Sequence, residues 1–311
     1  MKTVFITRRL PSIAEQTLAK HFKVTANKKN KPISYRQLLK AVSKYDAILS
    51  TVSDKFTAEV IAKKKNLRVI SNYAVGLNNI DVPFAKKNNI AVYNTPEVVT
   101  ESTADLAFAL LLSLVRKIED ARHFVKENKW SGWNPEIFLG EELSGKTFGI
   151  IGFGRIGQAV ARRAVGFGLR VIYCNRTRKK PENRHLVAAV RQVGLKTLLE
   201  KSDYISIHVP LQNDTRHLIN KKSIGDMKRN PIIINMARGE IIETDSLVSA
   251  LRSGQIRGAC LDVTDPEPLA GNHPLANMKN CVVVPHIGTA TVECRQAMAK
   301  LAAENIINHF V

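Results

Sequence analysis

Residues 146–165 read KTFGIIGFGRIGQAVARRAV, and the order of their parts decides the fold. An apolar run, Thr147–Ile151, leads directly into Gly152-Phe153-Gly154-Arg155-Ile156-Gly157, and a helical pattern, Gln158–Val165, follows. A G-x-G-x-x-G run alone is weak evidence, but strand, glycines and helix in that order meet a physical need. Gly152 permits a tight turn, Gly154 lets backbone approach a pyrophosphate, and Gly157 lets the helix pack on the strand. The anion then faces a helix N-terminus, where unpaired N–H groups and the helix dipole favour negative charge. All six residues, Phe153, Arg155 and Ile156 included, are therefore candidates for cradling a dinucleotide.

The next strand, Arg170–Cys174, ends in Asn175-Arg176-Thr177-Arg178-Lys179-Lys180, and nothing acidic appears before Glu182. A site for NAD(H) expects a carboxylate at the end of this strand to accept from the ribose 2′-hydroxyl. Asn175, Arg176 and Thr177 can instead donate to a 2′-phosphate, with Arg178 or Lys179 adding charge. The expected cofactor is NADP(H), with NAD(H) as the alternative.

Around this centre the chain alternates short β-rich runs with helical patterns. KTVFIT, KVTAN, DAILST, LRVISNYAV and IAVYNTP precede it, separated by helical patterns at Ser12–Phe22, Ser34–Tyr45, Ala58–Lys65 and Val82–Asn88. Thr57 is placed to cap the third of these. One long helical pattern runs from Glu101 to about Glu127, and Trp130-Ser131-Gly132-Trp133-Asn134-Pro135 breaks it. After the glycine run come RVIYCN, YISIHVP, PIIINMA, ACLDV and VVVPH, and a last helical pattern spans Thr291–Phe310. Repeated βα units predict an α/β protein with two doubly wound parallel sheets and a hinge near residues 94–100.

Composition narrows the function classes. A chain of 311 residues with 44% hydrophobic and 24% charged residues is globular and long enough for two cores. The most apolar window, Leu106–Val115, is too short to cross a membrane. No basic-then-apolar leader precedes the first strand, so a cytoplasmic protein is expected. Four cysteines, Cys174, Cys260, Cys281 and Cys294, lack metal-ligand spacing and read as reduced residues, three of them in apolar runs; no metal is expected. The net charge is +20, and the first seventy residues carry 16 Lys+Arg against 4 Asp+Glu. The lysines stand singly or in short runs without aromatic interleaving, so they read as a solvated surface rather than a nucleic-acid interface.

Three groups lie just past strands of the second series. Arg238 follows PIIINMA, Glu267 sits in Asp265-Pro266-Glu267-Pro268 after ACLDV, and His286 follows VVVP. Strand C-termini face the ligand crevice of a doubly wound sheet. Together the three supply what reduction of a 2-keto acid needs. Arg238 can bind the carboxylate and polarise the ketone, and His286 can protonate the developing alkoxide. Glu267 can hold the other imidazole nitrogen.

These residues resemble the D-isomer-specific 2-hydroxyacid dehydrogenases, and most closely the glyoxylate/hydroxypyruvate reductases among them. The resemblance runs through residues 73–81 (YAVGLNNID), 94–96, 103–107, the glycine run, 175–179, 208–211, 237–240, 261–263 and 285–288. It implies a Rossmann cofactor domain and a flavodoxin-like substrate domain, the latter discontinuous (1–97 with 288–311) around a cofactor domain at 98–287. It implies that the N–H groups of Val75 and Gly76 hold the substrate carboxylate with Arg238, and that Val52 lines the pocket. Thr103, His208, Val209, Pro210, Ala237, Asp262, His286 and Gly288 are then expected to touch the cofactor, Asp262 near the nicotinamide amide. It further implies a homodimer joined through the Glu101 helix region, with Trp133 reaching the partner's active site. Trp130 in that role, or a core role for either ring, is the alternative. Family members commonly continue for a short stretch past the position of Val311.

The resulting expectation is an NADPH-preferring reductase that converts glyoxylate or hydroxypyruvate to glycolate or D-glycerate. The alternatives are a phosphoglycerate dehydrogenase-like enzyme, for which the basic first domain would suit a phosphorylated substrate, and a non-catalytic dinucleotide-sensing scaffold resembling the C-terminal-binding-protein corepressors.

Overall fold

Alternate residues of the central strands face opposite helical layers, and both sets are apolar, so the sheets must be covered on both sides. A computed structural model describes residues 1–177, 181, 184–227 and 229–311. The chain forms two compact units, Met1–Val99 with Thr289–Val311, and Thr100–Gly288.

The first unit runs β1 (Thr3–Ile6), α1 (Ser12–Ala19), β2 (Lys23–Ala26), α2 (Tyr35–Lys44), β3 (Ala47–Ser50), α3 (Ala58–Ala62), β4 (Val69–Asn72), α4 (Val82–Lys87) and β5 (Ala91–Tyr93). Its strands pair in parallel in the order β2-β1-β3-β4-β5, the flavodoxin-like arrangement. Ser34 caps α2 through a capping box with Gln37, and the Thr57 hydroxyl accepts from the Val60 N–H at the start of α3. The helix expected over 58–65 ends at Ala62, before the Lys63-Lys64-Lys65 run.

The second unit opens with α5 (Thr100–Val115) and α6 (Ile118–Lys126). The single helix expected over 101–127 is thus two. Lys117 takes a left-handed conformation, φ 53°, and the Val115 carbonyl accepts from the Glu141 N–H at 3.0 Å, so the returning chain caps the end of α5.

Next come β6 (Thr147–Ile151), α7 (Arg155–Gly166), β7 (Arg170–Cys174), α8 (Arg184–Val187), β8 (Val190–Gln192), α9 (Leu195–Lys201), β9 (Tyr204–Ile207), α10 (Lys221–Gly225), β10 (Ile232–Asn235), α11 (Thr244–Ser253), β11 (Gly258–Leu261), α12 (Pro274–Asn277) and β12 (Cys281–Val283). Seven parallel strands lie in the order β12-β11-β10-β9-β6-β7-β8, a Rossmann order extended by one strand. The sequence reading missed β8, a three-residue edge strand with Arg191 at its centre, because so short a segment carries no alternation to detect.

Phe148 and Ile150 of β6 with Ile232 and Ile234 of β10 pack under α5 and α7 on one face. On the other face Ile205 and Ile207 of β9 with Ile233 of β10 pack under α9, α10 and α11. The last helix, α13 (Val292–Phe310), belongs to the first unit and packs on β4 and α1. Its backbone carbonyls at Ala302 and Arg295 accept from the Ser71 and Tyr73 hydroxyls at 2.8 Å each. Among the described residues, no helix is long and apolar enough to cross a membrane. The cysteines are free, with Cys260 and Cys294 buried.

Phe148 is fully buried and stacks on Phe108 at 5.5 Å between centroids. Phe148→Ala is expected to destabilise the second unit by about 3–5 kcal/mol through lost burial and a cavity. Urea unfolding followed by a probe in that unit measures this, and a loss below about 1 kcal/mol would mean the site collapses without a void.

Candidate active site

The switch point of the seven-stranded sheet lies between β6 and β9, where neighbouring strands send their chains to opposite faces. Gly152 turns there with φ 95°, and a Cβ on it would stand 2.7 Å from the His208 backbone. A Cβ on Gly157 would meet the Gly152 carbonyl at 2.1 Å, so the helix reaches the strand end only because both positions lack side chains. At Gly154 a Cβ would meet nothing within 4 Å. Gly154 is also the N-cap of the twelve-residue α7 and contributes no side-chain cap. Open space before an uncapped helix N-terminus suits a pyrophosphate, so the residues present fit a dinucleotide. Phe153 contributes backbone only, since its ring is fully buried and stacks on Tyr173 at 3.8 Å. Arg155 is exposed and Ile156 is half-buried against the core.

Asn175 closes the end of β7. Its Oδ1 accepts from the Phe153 N–H at 3.3 Å and its Nδ2 donates to the Thr177 carbonyl at 3.0 Å. Arg176 is exposed and lies 3.5 Å from Asp214, a surface pair worth little. Arg178 and Lys179 lie outside the described residues.

His208, at the end of β9, shares a 2.7 Å hydrogen bond between Nε2 and the Ser206 hydroxyl. Its Nδ1 is buried and has no partner among the described residues. Burial pushes its pKa down to about 3, so the ring is neutral at physiological pH. Val209 is half-buried and Pro210 exposed beside it.

The three groups singled out past the strand ends sit in the second unit. His286 Nδ1 and Glu267 Oε1 are 2.7 Å apart, and Nε2 has no partner among the described residues. Burial alone would raise the Glu267 carboxyl, but the hydrogen bond and charge of His286, with Arg238 beyond, outweigh it and hold it below the ordinary value. Arg238 is half-buried, and its Nη1 donates to the Ala237 carbonyl at 2.6 Å. Burial lowers its guanidinium against the pull of Glu267 and Glu240, yet a guanidinium stays charged in proteins.

His286 is held in a left-handed conformation, φ 54°, which is strained for a residue with a Cβ. Asp262 supplies the restraint. Its backbone carbonyl accepts from the His286 N–H at 2.9 Å, its Oδ1 from Ile287 N–H at 2.6 Å and its Oδ2 from Gly288 N–H at 2.9 Å. Burial pushes the Asp262 carboxyl up, against those N–H bonds and the His286 charge, with a net upward shift. Thr103 adds a 3.3 Å bond from its hydroxyl to the Gly288 carbonyl. Asp262 and Thr103 both hold the backbone of residues 286–288. Sequence reasoning missed Asn235, which accepts from the Ala237 N–H at 3.0 Å and donates to the Arg238 carbonyl at 2.8 Å. An asparagine ending the apolar run PIIIN was the available signal.

In the first unit Val75 is exposed and Gly76 half-buried in the turn after β4, and Val52 is exposed in the turn after β3. The N–H groups of Val75 and Gly76 donate to nothing among the described residues. Trp133 and Trp130 are 86% and 64% exposed, so the core role considered for either ring is wrong. Among the described residues, no cluster of His, Cys, Asp or Glu could hold a metal.

A glycine turn before an uncapped helix, with an Arg and a Glu–His pair past strand ends of the same parallel sheet, fits an oxidoreductase of the nucleotide-dependent α/β class. Residues 108–288 match the family described as D-isomer specific 2-hydroxyacid dehydrogenase, NAD binding domain. Over 98% of the chain, 46% of residues are identical to the glyoxylate reductase of Thermococcus litoralis, covering 92% of that protein. The glyoxylate reductase of Pyrococcus furiosus is 44% identical over 98% of this chain and 91% of its own. Among solved structures, an NADPH-dependent glyoxylate/hydroxypyruvate reductase from Sinorhizobium meliloti superposes with a TM-score of 0.85 at 27% identity, covering 100% of this chain and 95% of that one. The chain belongs to the D-isomer specific 2-hydroxyacid dehydrogenase family. It is an NAD(P)-dependent D-2-hydroxyacid dehydrogenase.

The neutral imidazole of His208, with its Nδ1 buried, carries a stability consequence. The unfolded chain protonates His208 below its ordinary pKa of 6.5, while the folded protein resists until about 3. The contribution is therefore complete above pH 6.5 and is lost as pH falls toward 3. In His208→Gln the melting temperature is expected to fall less steeply than in the parent between those limits. Parallel Tm-against-pH curves would show that the ring protonates freely in the folded state.

Proposed function

We propose that the protein is an NADPH-preferring reductase of small 2-keto acids, converting glyoxylate or hydroxypyruvate to the D-hydroxy acid. The 2.7 Å contact of His286 with Glu267, which leaves Nε2 for the substrate, is the observation that carries the chemistry. The relatives named as glyoxylate reductases support the substrate class.

Reduction adds a hydride to the ketone carbon and a proton to its oxygen, and the nicotinamide supplies the hydride when the cofactor is bound. Protonated His286 gives the proton from Nε2 to the ketone oxygen as negative charge develops there. Glu267 fixes the ring through its contact with Nδ1. Arg238 binds the substrate carboxylate and polarises the ketone. In the first unit, the N–H groups of Val75 and Gly76 offer a second carboxylate-binding element, and Val52 lines the pocket. Asp262 and Thr103 hold the His286 segment in place, and Asn235 does the same for Arg238. Ala237 and the His208–Pro210 segment border the cofactor.

The preference for NADP(H) rests on Asn175, which stands where an NAD(H) site expects a carboxylate, together with Arg176 and Thr177 beside it. The assembly is read as a cytoplasmic homodimer. Ile118, Val125, Trp130, Trp133 and Leu139 are exposed in and after α6, and a second copy of this chain covers them, with Trp133 entering its active site.

NADPH oxidation with a panel of keto acids tests the reading. Turnover of glyoxylate and hydroxypyruvate supports it, turnover of phosphohydroxypyruvate alone points to a phosphoglycerate dehydrogenase, and none to a dinucleotide-sensing scaffold. His286→Ala is expected to lower kcat by about a hundredfold to ten-thousandfold while NADPH still binds, and full turnover would remove it as the acid. Arg176→Asp is expected to lower the NADPH-to-NADH ratio of kcat/KM by about tenfold or more. An unchanged ratio would place phosphate recognition elsewhere.

A further inference from the structure

The turn after β4 is built so that its carbonyls are tied and its amides are not. The Ala74 carbonyl accepts from the Thr95 N–H at 2.8 Å, and the Val75 carbonyl accepts from Asn94 Nδ2 at 2.7 Å. In a trans peptide the C=O and N–H point in opposite directions. Tying the Ala74 oxygen to residue 95 therefore aims the Val75 N–H away from it. Tying the Val75 oxygen to Asn94 aims the Gly76 N–H the same way. Two adjacent amides with no partner among the described residues make a concave anion acceptor.

A second tie comes from below. Asn72, fully buried at the end of β4, donates from Nδ2 to the Gly76 carbonyl at 3.0 Å and to Asn79 Oδ1 at 3.1 Å, and its Oδ1 accepts from the Ser50 hydroxyl at 3.0 Å. Asn79 in turn donates to the Thr51 and Asp54 carbonyls at 3.1 and 3.0 Å. The Asp54 carboxylate accepts from the Thr7 hydroxyl at 2.6 Å and the Thr51 N–H at 2.8 Å. Asn94 is itself anchored, since its backbone carbonyl accepts from Asn305 of α13 at 3.0 Å. The ends of β1, β3, β4 and β5 are thereby linked through side-chain hydrogen bonds.

We propose that Asn94 and Asn72 are positioning residues that hold the Val75 and Gly76 amides as a preformed receptor for the keto-acid carboxylate. The inference rests on the reading that these amides bind that carboxylate. Asn94 sets the direction of the Gly76 N–H, and Asn72 keeps the turn from relaxing toward the sheet. A preformed donor pair binds the carboxylate in ground state and transition state alike, so its loss appears in KM rather than in kcat.

The test is steady-state glyoxylate reduction by Asn94→Ala and Asn72→Asp, with NADPH affinity measured by fluorescence titration and Gly76→Pro, which lacks the amide hydrogen, run alongside. Asn94→Ala is expected to raise the KM for glyoxylate about fivefold or more, the size of one hydrogen bond's net contribution, with kcat within about twofold. The NADPH dissociation constant stays at the parent value, which a general loss of structure would not allow. Asn72→Asp, which cannot donate to Gly76, raises KM further. Should the buried change prevent folding, the half-buried Asn94 still decides. If Gly76→Pro raises KM and Asn94→Ala does not, the positioning role is overturned and the carboxylate reading stands. If neither moves KM, that reading falls and the inference with it.

Discussion

A strand that ends inside a sheet covered on both faces leaves backbone groups with no ladder partner, and the site of this protein is built from the solutions to that problem. Buried N–H and C=O groups must be paired. Here the pairing past the strand ends is done largely by short amide and carboxylate side chains. Asp262 does it after β11, Asn235 after β10, Asn175 after β7, and Asn72 with Asn79 after β4. Each satisfies its neighbours in a conformation that a regular strand or helix would not allow. The functional groups are then carried on backbone that cannot relax, which is what preorganisation requires.

His286 shows how far this goes. A left-handed histidine is disfavoured by about 1–2 kcal/mol relative to ordinary backbone. Three hydrogen bonds accepted by one residue, Asp262, from the N–H groups of residues 286–288 offset that cost. In this conformation the ring meets Glu267 through Nδ1, and Nε2 has no partner among the described residues. The same logic explains why Asp262 is buried at all. An isolated carboxylate there would be costly, but two N–H donors share its charge.

Most of the architecture was legible in the sequence because βα alternation and the glycine run report local necessities. Gly152, Gly154 and Gly157 each fail or tolerate a Cβ for the reason their spacing suggests. Arg238, Glu267 and His286 were singled out because strand ends are where such a fold places ligands, and of that set the structure brings His286 and Glu267 into contact. The rest was illegible for physical reasons. The break at Lys117 depends on the Glu141 N–H reaching Val115 from a distant segment, and no local pattern encodes that. The strand β8 is too short to show a period. The positioning role of Asn72 and Asn94 was hidden because an asparagine at a strand end reads as a turn former. Their partners, Gly76 and Val75, are identified only by coordinates.

Asn175 joins the structural theme to cofactor choice. A carboxylate at the end of β7 would accept from the Phe153 N–H as readily as the asparagine amide does, so the glycine turn does not by itself select between them. What differs is charge. The amide keeps the turn closed through Oδ1 while removing the negative charge that would repel a phosphate on the adenosine ribose. It also presents an N–H donor, which Asn175 directs to the Thr177 carbonyl. Under the proposed reading, the change from acid to amide therefore alters specificity without loosening the cradle. A site whose backbone is held by neutral amides can have its charge revised one residue at a time.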